Sequence, residues 1–144
     1  MNHLKLKVKY ILTILATAII IAGGYAYREY YRKPADLSDV QPQSKIGADS
    51  LVLSFENNET SANKLYLGKP IEIRGIIAEI KSQKYTVVNV MLGKKDDMHR
   101  VNCLIDVNHI IDVKSYNIGD KITIRGICNG YLMDVELNRC VIVK

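Results

Sequence analysis

Two arginines occupy the same place in two similar stretches of the sequence, GKPIEIRGII (residues 68–77) and GDKITIRGIC (residues 119–128). An arginine fork binds carboxylate or phosphate oxygens in pairs, so Arg74 and Arg125 could together form one anion site. Because each arginine alternates with isoleucines, it points away from the face that the isoleucines bury. The competing interpretation is that both are surface cations paired with Glu72, Glu79 or Glu136.

The residue types that usually perform catalysis do not form a recognisable constellation. The three histidines, His3, His99 and His109, have no metal-site spacing with the cysteines. No serine lies in the context of a nucleophile elbow, and there is no glycine-rich phosphate loop. The sequence therefore predicts a protein that is not an enzyme, with no cofactor and no metal.

The net charge of +5 is concentrated around one uncharged segment. Residues 1–9 hold three lysines and residues 28–33 hold three more basic side chains, whereas residues 47–144 carry 13 basic and 12 acidic ones. The uncharged residues 10–27 end in tyrosines and, at about 1.5 Å per residue, just reach across a hydrocarbon core of about 30 Å. We expect a basic leader (1–9) followed by a transmembrane anchor or signal segment (10–27).

Cleavage and orientation of this segment stay open. Gly24-Tyr25-Ala26 would serve as a signal-peptide cleavage site. The lysine and arginine counts on the two sides are equal, so the positive-inside rule does not orient the chain. A basic leader is nevertheless typical of an export signal, which predicts that the folded domain lies outside the cytoplasm, in the periplasm.

A linker and a helix follow the apolar segment. Residues 28–47 hold two prolines and no apolar period, which is typical of a linker. Apolar residues then recur at a spacing near 3.6, which predicts a helix over 49–66 that Asp49 begins and Gly68 ends.

Beyond residue 68 the apolar period changes to two. This predicts five strands, over 69–80, 85–92, 100–106, 121–128 and 132–143, with a short helix or irregular crossover over 107–117. The expected turns are 81–84, 93–97 and 129–130. This order matches the OB-fold, a five-stranded Greek-key barrel with a helix between its third and fourth strands. We therefore predict a mainly β fold in which a helix precedes an OB-fold barrel, the two together spanning residues 48–144.

An OB-fold normally binds its ligand on the second and third strands and on nearby loops. The candidate ligand-binding residues, taken there and in the duplicated stretches, are Arg74, Lys84, Tyr85, Lys94, Lys95, Arg100, Arg125 and Tyr131. Single-stranded nucleic acid requires a basic groove with stacking aromatics. Two tyrosines, no tryptophan and two aspartates beside the lysines are a weak match to that requirement.

Several stretches resemble one known family. The runs NETSANKLYLGKPIEIRG, VNCLID, YNIGDKITIRGICNG and VELNRCVIV are similar to the tRNA-anti-like OB-fold family over residues 48–144. The resemblance implies a short bacterial protein, exported or attached to a membrane, with one OB domain. Many members look like lipoproteins, whereas no cysteine lies near the end of the apolar segment here. The resemblance carries no catalytic residues to this chain.

Taken together, these features predict a non-enzymatic, membrane-anchored extracytoplasmic OB-fold module. Its ligand would be a protein, peptide, glycan or small anion. The alternative is a membrane-tethered OB domain that binds single-stranded nucleic acid or tRNA.

The three cysteines, Cys103, Cys128 and Cys140, admit two interpretations. They are either three buried thiols or, in an oxidising compartment, one bridge and one free thiol. A Cys103–Cys140 bridge is the easier one geometrically, because strands three and five adjoin in an OB barrel, whereas a tight hairpin at 129–131 would hold Cys128 and Cys140 apart.

Overall fold

A computed structural model describes residues 2–31, 36–83 and 87–143. The chain forms two units, Met1–Pro34 and Ala35–Lys144. The first unit contains helix α1 (Asn2–Tyr30). The second contains, in chain order, β1 (Ser44–Gly47), α2 (Ala48–Asn57), α3 (Glu59–Tyr66), β2 (Pro70–Gln83), β3 (Val87–Leu92), β4 (Val101–Ile105), a 3₁₀ turn (Val107–His109), α4 (Ile110–Val113), β5 (Lys121–Tyr131) and β6 (Val135–Ile142).

Helix α1 includes residues 10–27, for which the sequence predicts a transmembrane anchor. Within the described part of the chain, no helix has the length and apolar character that crossing a membrane requires. The predicted transmembrane helix is therefore not confirmed.

Five strands of the second unit close into a barrel. The first half of the long strand β2 pairs with β5, and its second half pairs with β3. The antiparallel pair β3–β4, the parallel pair β4–β6 and the antiparallel pair β6–β5 complete the circuit. The predicted mainly β fold, an OB barrel preceded by helix, is confirmed.

The two duplicated stretches are neighbouring strands of this barrel, in β2 and β5. Most of their isoleucines are buried in the interior, where each such side chain contributes about 1.5–3 kcal/mol by leaving water, but Ile76 is 42% exposed. A Cβ at Gly75 would stand 2.9 Å from the Cβ of Ala48, and one at Gly126 would stand 2.6 Å from the Sγ of Cys140. Each glycine therefore leaves room for a side chain that packs against its strand.

The predicted helix over 49–66 is two helices, α2 and α3, that meet at Asn58. The backbone of Asn58 is extended (φ −160°), and its side chain accepts a hydrogen bond of 2.9 Å from the Ser61 N–H. This contact is an N-cap, which starts a new helix in place of continuing the old one. The break lets both helices pack on the barrel, with Phe55 and Ala62 in the core.

The strand boundaries differ from prediction at two turns. Strand β2 continues through Gln83, so residues 81–83 are strand and not turn, while residues 84–86 lie outside the described part of the chain. Strand β5 continues to Tyr131, so the last hairpin turns at residues 132–134 and β6 begins at Val135. The Asn129-Gly130 signal marks a register shift within the strand, with Gly130 at φ +108°.

Residues 36–43, here named the strap, lie on the outside of the barrel, although the sequence predicts a linker over 28–47. Leu37 in the strap is buried, at 4% exposure. The Gln43 N–H donates to the Pro70 carbonyl at 2.8 Å, and β1 then continues the strap as a parallel neighbour of β2. The folded domain thus includes residues 36–47.

A histidine holds the start of the strap. His109 Nε2 lies 2.9 Å from Asp36 Oδ2, and its Nδ1 lies 3.1 Å from Asp112 Oδ2. Hydrogen bonds from the backbone N–H of Ser38 and from His109 lower the pKa of Asp36 to about 2. The hydrogen bond to Asp36 raises the pKa of His109 above its ordinary 6.5, although burial opposes this.

The protonated form of His109 should therefore stabilise the fold. Since its pKa is raised by folding, this stabilisation is complete below pH 6.5 and is lost as the pH rises through the raised pKa. The contribution of Asp36 is lost only in acid, as the pH falls below 3.8 towards 2. We expect the free energy of unfolding to fall between about pH 6 and pH 8, below the range in which the cysteine thiols ionise in the unfolded chain, and this fall to disappear in His109→Gln.

Urea unfolding of the full chain in neutral detergent, followed by circular dichroism, measures this slope. Asp39→Asn, which changes another strap carboxylate, should keep the wild-type slope. Equal slopes in wild type and His109→Gln would contradict the role of the histidine.

Candidate functional site

Arg125 has a structural role in the fold. Its Nη2 donates to Glu72 Oε2 at 2.9 Å, and both side chains are only 11% exposed. Its Nη1 lies within hydrogen-bond distance of the strap carbonyls of Leu37, Ser38 and Val40, at 3.1, 3.0 and 2.8 Å. The hydrogen bond from Arg125, with help from Lys45, lowers the pKa of Glu72 against the effect of burial. This guanidinium has no free donor face for a ligand.

Arg74 differs from Arg125 in every respect that matters for binding. It is exposed, it lies opposite Thr123 in the β2–β5 register, and it contacts no acidic partner among the described residues. The strand partner of Arg125 is Glu72. The two arginines therefore do not share an anion, and Arg74 alone is available on the surface.

The basic side chains expected to bind a ligand on the OB face are mostly either paired with a carboxylate or placed at the edge of that face. Arg100 Nη1 lies 3.9 Å from Glu79 Oε2 and the Arg100 side chain is 22% exposed. Lys94 and Lys95 are exposed on the turn after β3, which the Lys94 N–H closes by donating to Asp97 Oδ2 at 2.7 Å. Lys84 and Tyr85 lie outside the described residues.

Tyr131 is half-buried, and its ring packs against other rings of the domain. Its ring stacks on Phe55 of α2, with centroids 5.8 Å apart and planes at 26°. The His99 ring lies 5.8 Å from the same ring, with the two planes at 69°. Within the described residues of β3 and β4 no aromatic side chain occurs, so this face lacks the stacking platform that single-stranded nucleic acid uses.

A groove lies between α2 and the segment that joins β3 to β4. Its volume is about 420 Å³, within the range of about 300–1,000 Å³ typical of ligand pockets. Helix α2 contributes Asp49, Val52, Leu53 and Glu56, and the opposite wall contributes Leu92, Gly93, Lys94, Asp97, Met98 and His99.

Sequence reasoning missed this groove. The four α2 residues follow the spacing i, i+3, i+4, i+7, which places them on one helix face. That face mixes the buried Val52 with Leu53, which is 54% exposed. The available signal was Leu53, an apolar residue beside the buried stripe of a predicted helix. Only the folded barrel shows which segment forms the opposite wall of the groove.

The three cysteines are free thiols and are buried. Burial raises the pKa of Cys128 and, more strongly, that of Cys140, whose thiol also hydrogen-bonds to Cys103. Cys128 lies opposite Leu137, because the hairpin turns at 132–134 and not at 129–131. A Cys103–Cys140 bridge stays a prediction, which thiol counting under denaturing, non-reducing conditions tests. Among the described residues, no group of three or more metal-binding side chains occurs.

The closed five-stranded barrel with its capping helices defines an OB-fold domain. The chain belongs to the tRNA_anti-like family, whose model matches residues 1–142, and the predicted resemblance is confirmed. No curated protein matches the sequence.

Several solved structures are similar to this chain. A lipoprotein of Klebsiella pneumoniae, provisionally named as nucleic acid-binding, is 21% identical with a TM-score of 0.58, over 78% of this chain and 100% of that one. The asparaginyl-tRNA synthetase of Entamoeba histolytica is 18% identical (TM-score 0.42), over 53% of this chain and 21% of that one. A replication factor A related protein of Methanobacterium thermoautotrophicum is 19% identical (TM-score 0.42), over 56% and 84%.

Truncation of the two arginines should have very different effects on stability. Arg125→Ala leaves Glu72 buried without its partner and frees three strap carbonyls, so we expect it to lower the free energy of unfolding by about 3 kcal/mol. Arg74→Ala should change it by less than about 0.5 kcal/mol. Urea unfolding of the full chain measures both.

The double variant Arg125→Ala/Glu72→Ala is the matched control, since removal of both charges should recover part of the loss. Equal effects of Arg74→Ala and Arg125→Ala would show that the buried ion pair does not hold the strap.

Proposed function

We propose that this OB-fold domain is a non-enzymatic binding module that takes a peptide segment of a partner protein in the groove beside α2. The groove itself is the observation that carries the proposal. It is the place where a concave surface of ligand size combines a buried apolar floor, Val52 and Leu92, with exposed apolar side chains, Leu53 and Met98.

The surrounding surface supports a protein partner. Met98 is 89% exposed, and the adjoining loop exposes Leu132 and Met133 at 84% and 79%. This loop lies beside the groove because the Met133 carbonyl is 2.6 Å from His99 Nδ1. Exposed methionines adapt their shape to a partner at low cost, which suits a surface that binds protein.

A single-stranded nucleic acid is the second candidate ligand. It is favoured by the exposed Arg74, Lys94 and Lys95 and by the name of the Klebsiella pneumoniae lipoprotein with the same fold. Against it stand the pairing of Arg125 and Arg100 with carboxylates and the packing of Tyr131 against Phe55.

We also propose that the domain works outside the cytoplasm, attached to a membrane through α1. The support is the row of exposed apolar side chains on this helix, among them Ile14, Ile19, Ile20 and Ile21, and the lipoprotein nature of the same Klebsiella protein. A reporter fused after Lys144 tests the location, and cytoplasmic reporter activity would contradict it.

Two binding measurements on the full chain in neutral detergent test the ligand class. A random peptide library panned on the wild type and counter-selected on Leu53→Ser should yield peptides whose binding needs Leu53, because that side chain forms the rim of the groove. A library that yields no Leu53-dependent peptide would contradict the proposal.

Fluorescence anisotropy with a labelled 15-nucleotide oligo(dT) is the second measurement. We expect no salt-sensitive binding of this oligonucleotide. Two results together would establish the second candidate. The logarithm of the association constant would fall with log salt at a slope of about −0.7 per phosphate contact, and Lys94→Glu would abolish binding.

A further inference from the structure

We infer that the groove beside α2 selects a cationic segment, in which lysine or arginine side chains alternate with apolar ones. This inference rests on the proposed peptide-binding function and adds the chemical class of the peptide. It follows from the charges that line the groove and from those that surround it.

The groove is acidic in a protein that is basic overall. Its walls carry Asp49, Glu56 and Asp97 against one lysine, Lys94, so its formal charge is −2 with His99 neutral. The whole chain carries +5. That excess lies in residues 1–33, whereas residues 36–144 carry 14 basic and 14 acidic side chains and are formally neutral. A cationic ligand is therefore attracted at the groove and not by the domain as a whole, which makes its binding local.

The carboxylates are placed to receive a ligand. Glu56 on α2 is exposed, and its Oε1 lies 4.0 Å from His99 Nε2, at the margin of contact. Asp49 is exposed in the first turn of α2. Asp97 Oδ2 accepts a hydrogen bond from the Lys94 N–H within the turn. Two of the three carboxylates, Asp49 and Glu56, thus lack a strong partner among the residues that the structure describes.

The acidic character extends beyond the groove wall. The pKa of Tyr131 is raised first by burial and then by the negative charges of Glu56, Asp134 and Glu59. These carboxylates come from α2, α3 and the loop 132–134, so three elements direct negative charge towards one phenol. Negative charge disfavours phenolate, and by the same sign it favours an ammonium or guanidinium.

The apolar part of the surface fits the same ligand. Leu53 and Met98 rise on opposite sides of a floor made by Val52 and Leu92. Lysine and arginine carry long apolar stems, which can cover such a surface while the charged end reaches a carboxylate at the rim. Phosphate-bearing ligands, by contrast, meet like charge from Asp49, Glu56 and Asp97.

The test uses two synthetic probes with the full chain in neutral detergent. One is a fluorescein-labelled nine-residue peptide of alternating leucine and lysine, and the other alternates leucine and glutamate. We expect the lysine peptide to bind at least about tenfold more tightly, and its binding to weaken as salt rises, because rim charges are screened.

Charge-reversing variants locate the site. Glu56→Lys should weaken binding of the lysine peptide by about tenfold, because it replaces an exposed rim carboxylate with a like charge. Asp39→Lys makes the same change in net charge on the strap and should leave binding within about twofold. Leu53→Ser should weaken both peptides, since it removes apolar contact and no charge.

The outcomes separate this inference from the proposed function. If the glutamate peptide binds as well as the lysine peptide and both need Leu53, the groove binds peptides but has no preference for cations. If Glu56→Lys and Asp39→Lys weaken binding equally, the attraction is not local and the inference fails. If neither peptide binds and oligo(dT) does, the proposed function fails with it.

Discussion

The buried ion pair between Arg125 and Glu72 determines where the N-terminal part of the domain lies. One guanidinium nitrogen binds the carboxylate of the neighbouring strand, and the other lies within hydrogen-bond distance of three carbonyls of the strap. A buried charge pair is stable only when its remaining donors and acceptors are also satisfied. The strap carbonyls and Lys45 supply most of those partners, and the buried Arg125 Nε is left without one among the described residues, so the strap and the pair depend on each other.

The position of the groove follows from this pair. The strap leads into β1, and α2 begins at the residue after β1 ends, with no loop between them. Strand β1 is fixed by its parallel register with β2. The start of α2 is fixed as well, because Ala48 packs against Gly75 at a distance that a Cβ would not allow. The acidic face of α2 is thereby held opposite the segment that joins β3 to β4.

The two duplicated stretches show how far a sequence pattern can be interpreted. Alternation alone placed the isoleucines inside and the arginines outside, because a strand has a period of two. The count of five strands then predicted that the two stretches are neighbouring strands of one barrel. Pairing of the arginines with carboxylates was one of two open interpretations, and it holds for Arg125 but not for Arg74. The distinction depends on the strap, which crosses one arginine and not the other.

By itself the sequence determined the OB barrel, its strand order, its inward residues and its family, because these depend on local periodicity and on turn residues. The tertiary structure alone decided four features: the break at Asn58, the hairpin turn at 132–134, the docking of the strap, and the groove between α2 and the opposite turn. The strap and the groove depend on contacts between residues far apart in the chain, whereas the local cap at Asn58 starts a new helix because both helices can then pack on the barrel. Periodicity reports which face of an element is buried, but not which other element covers it.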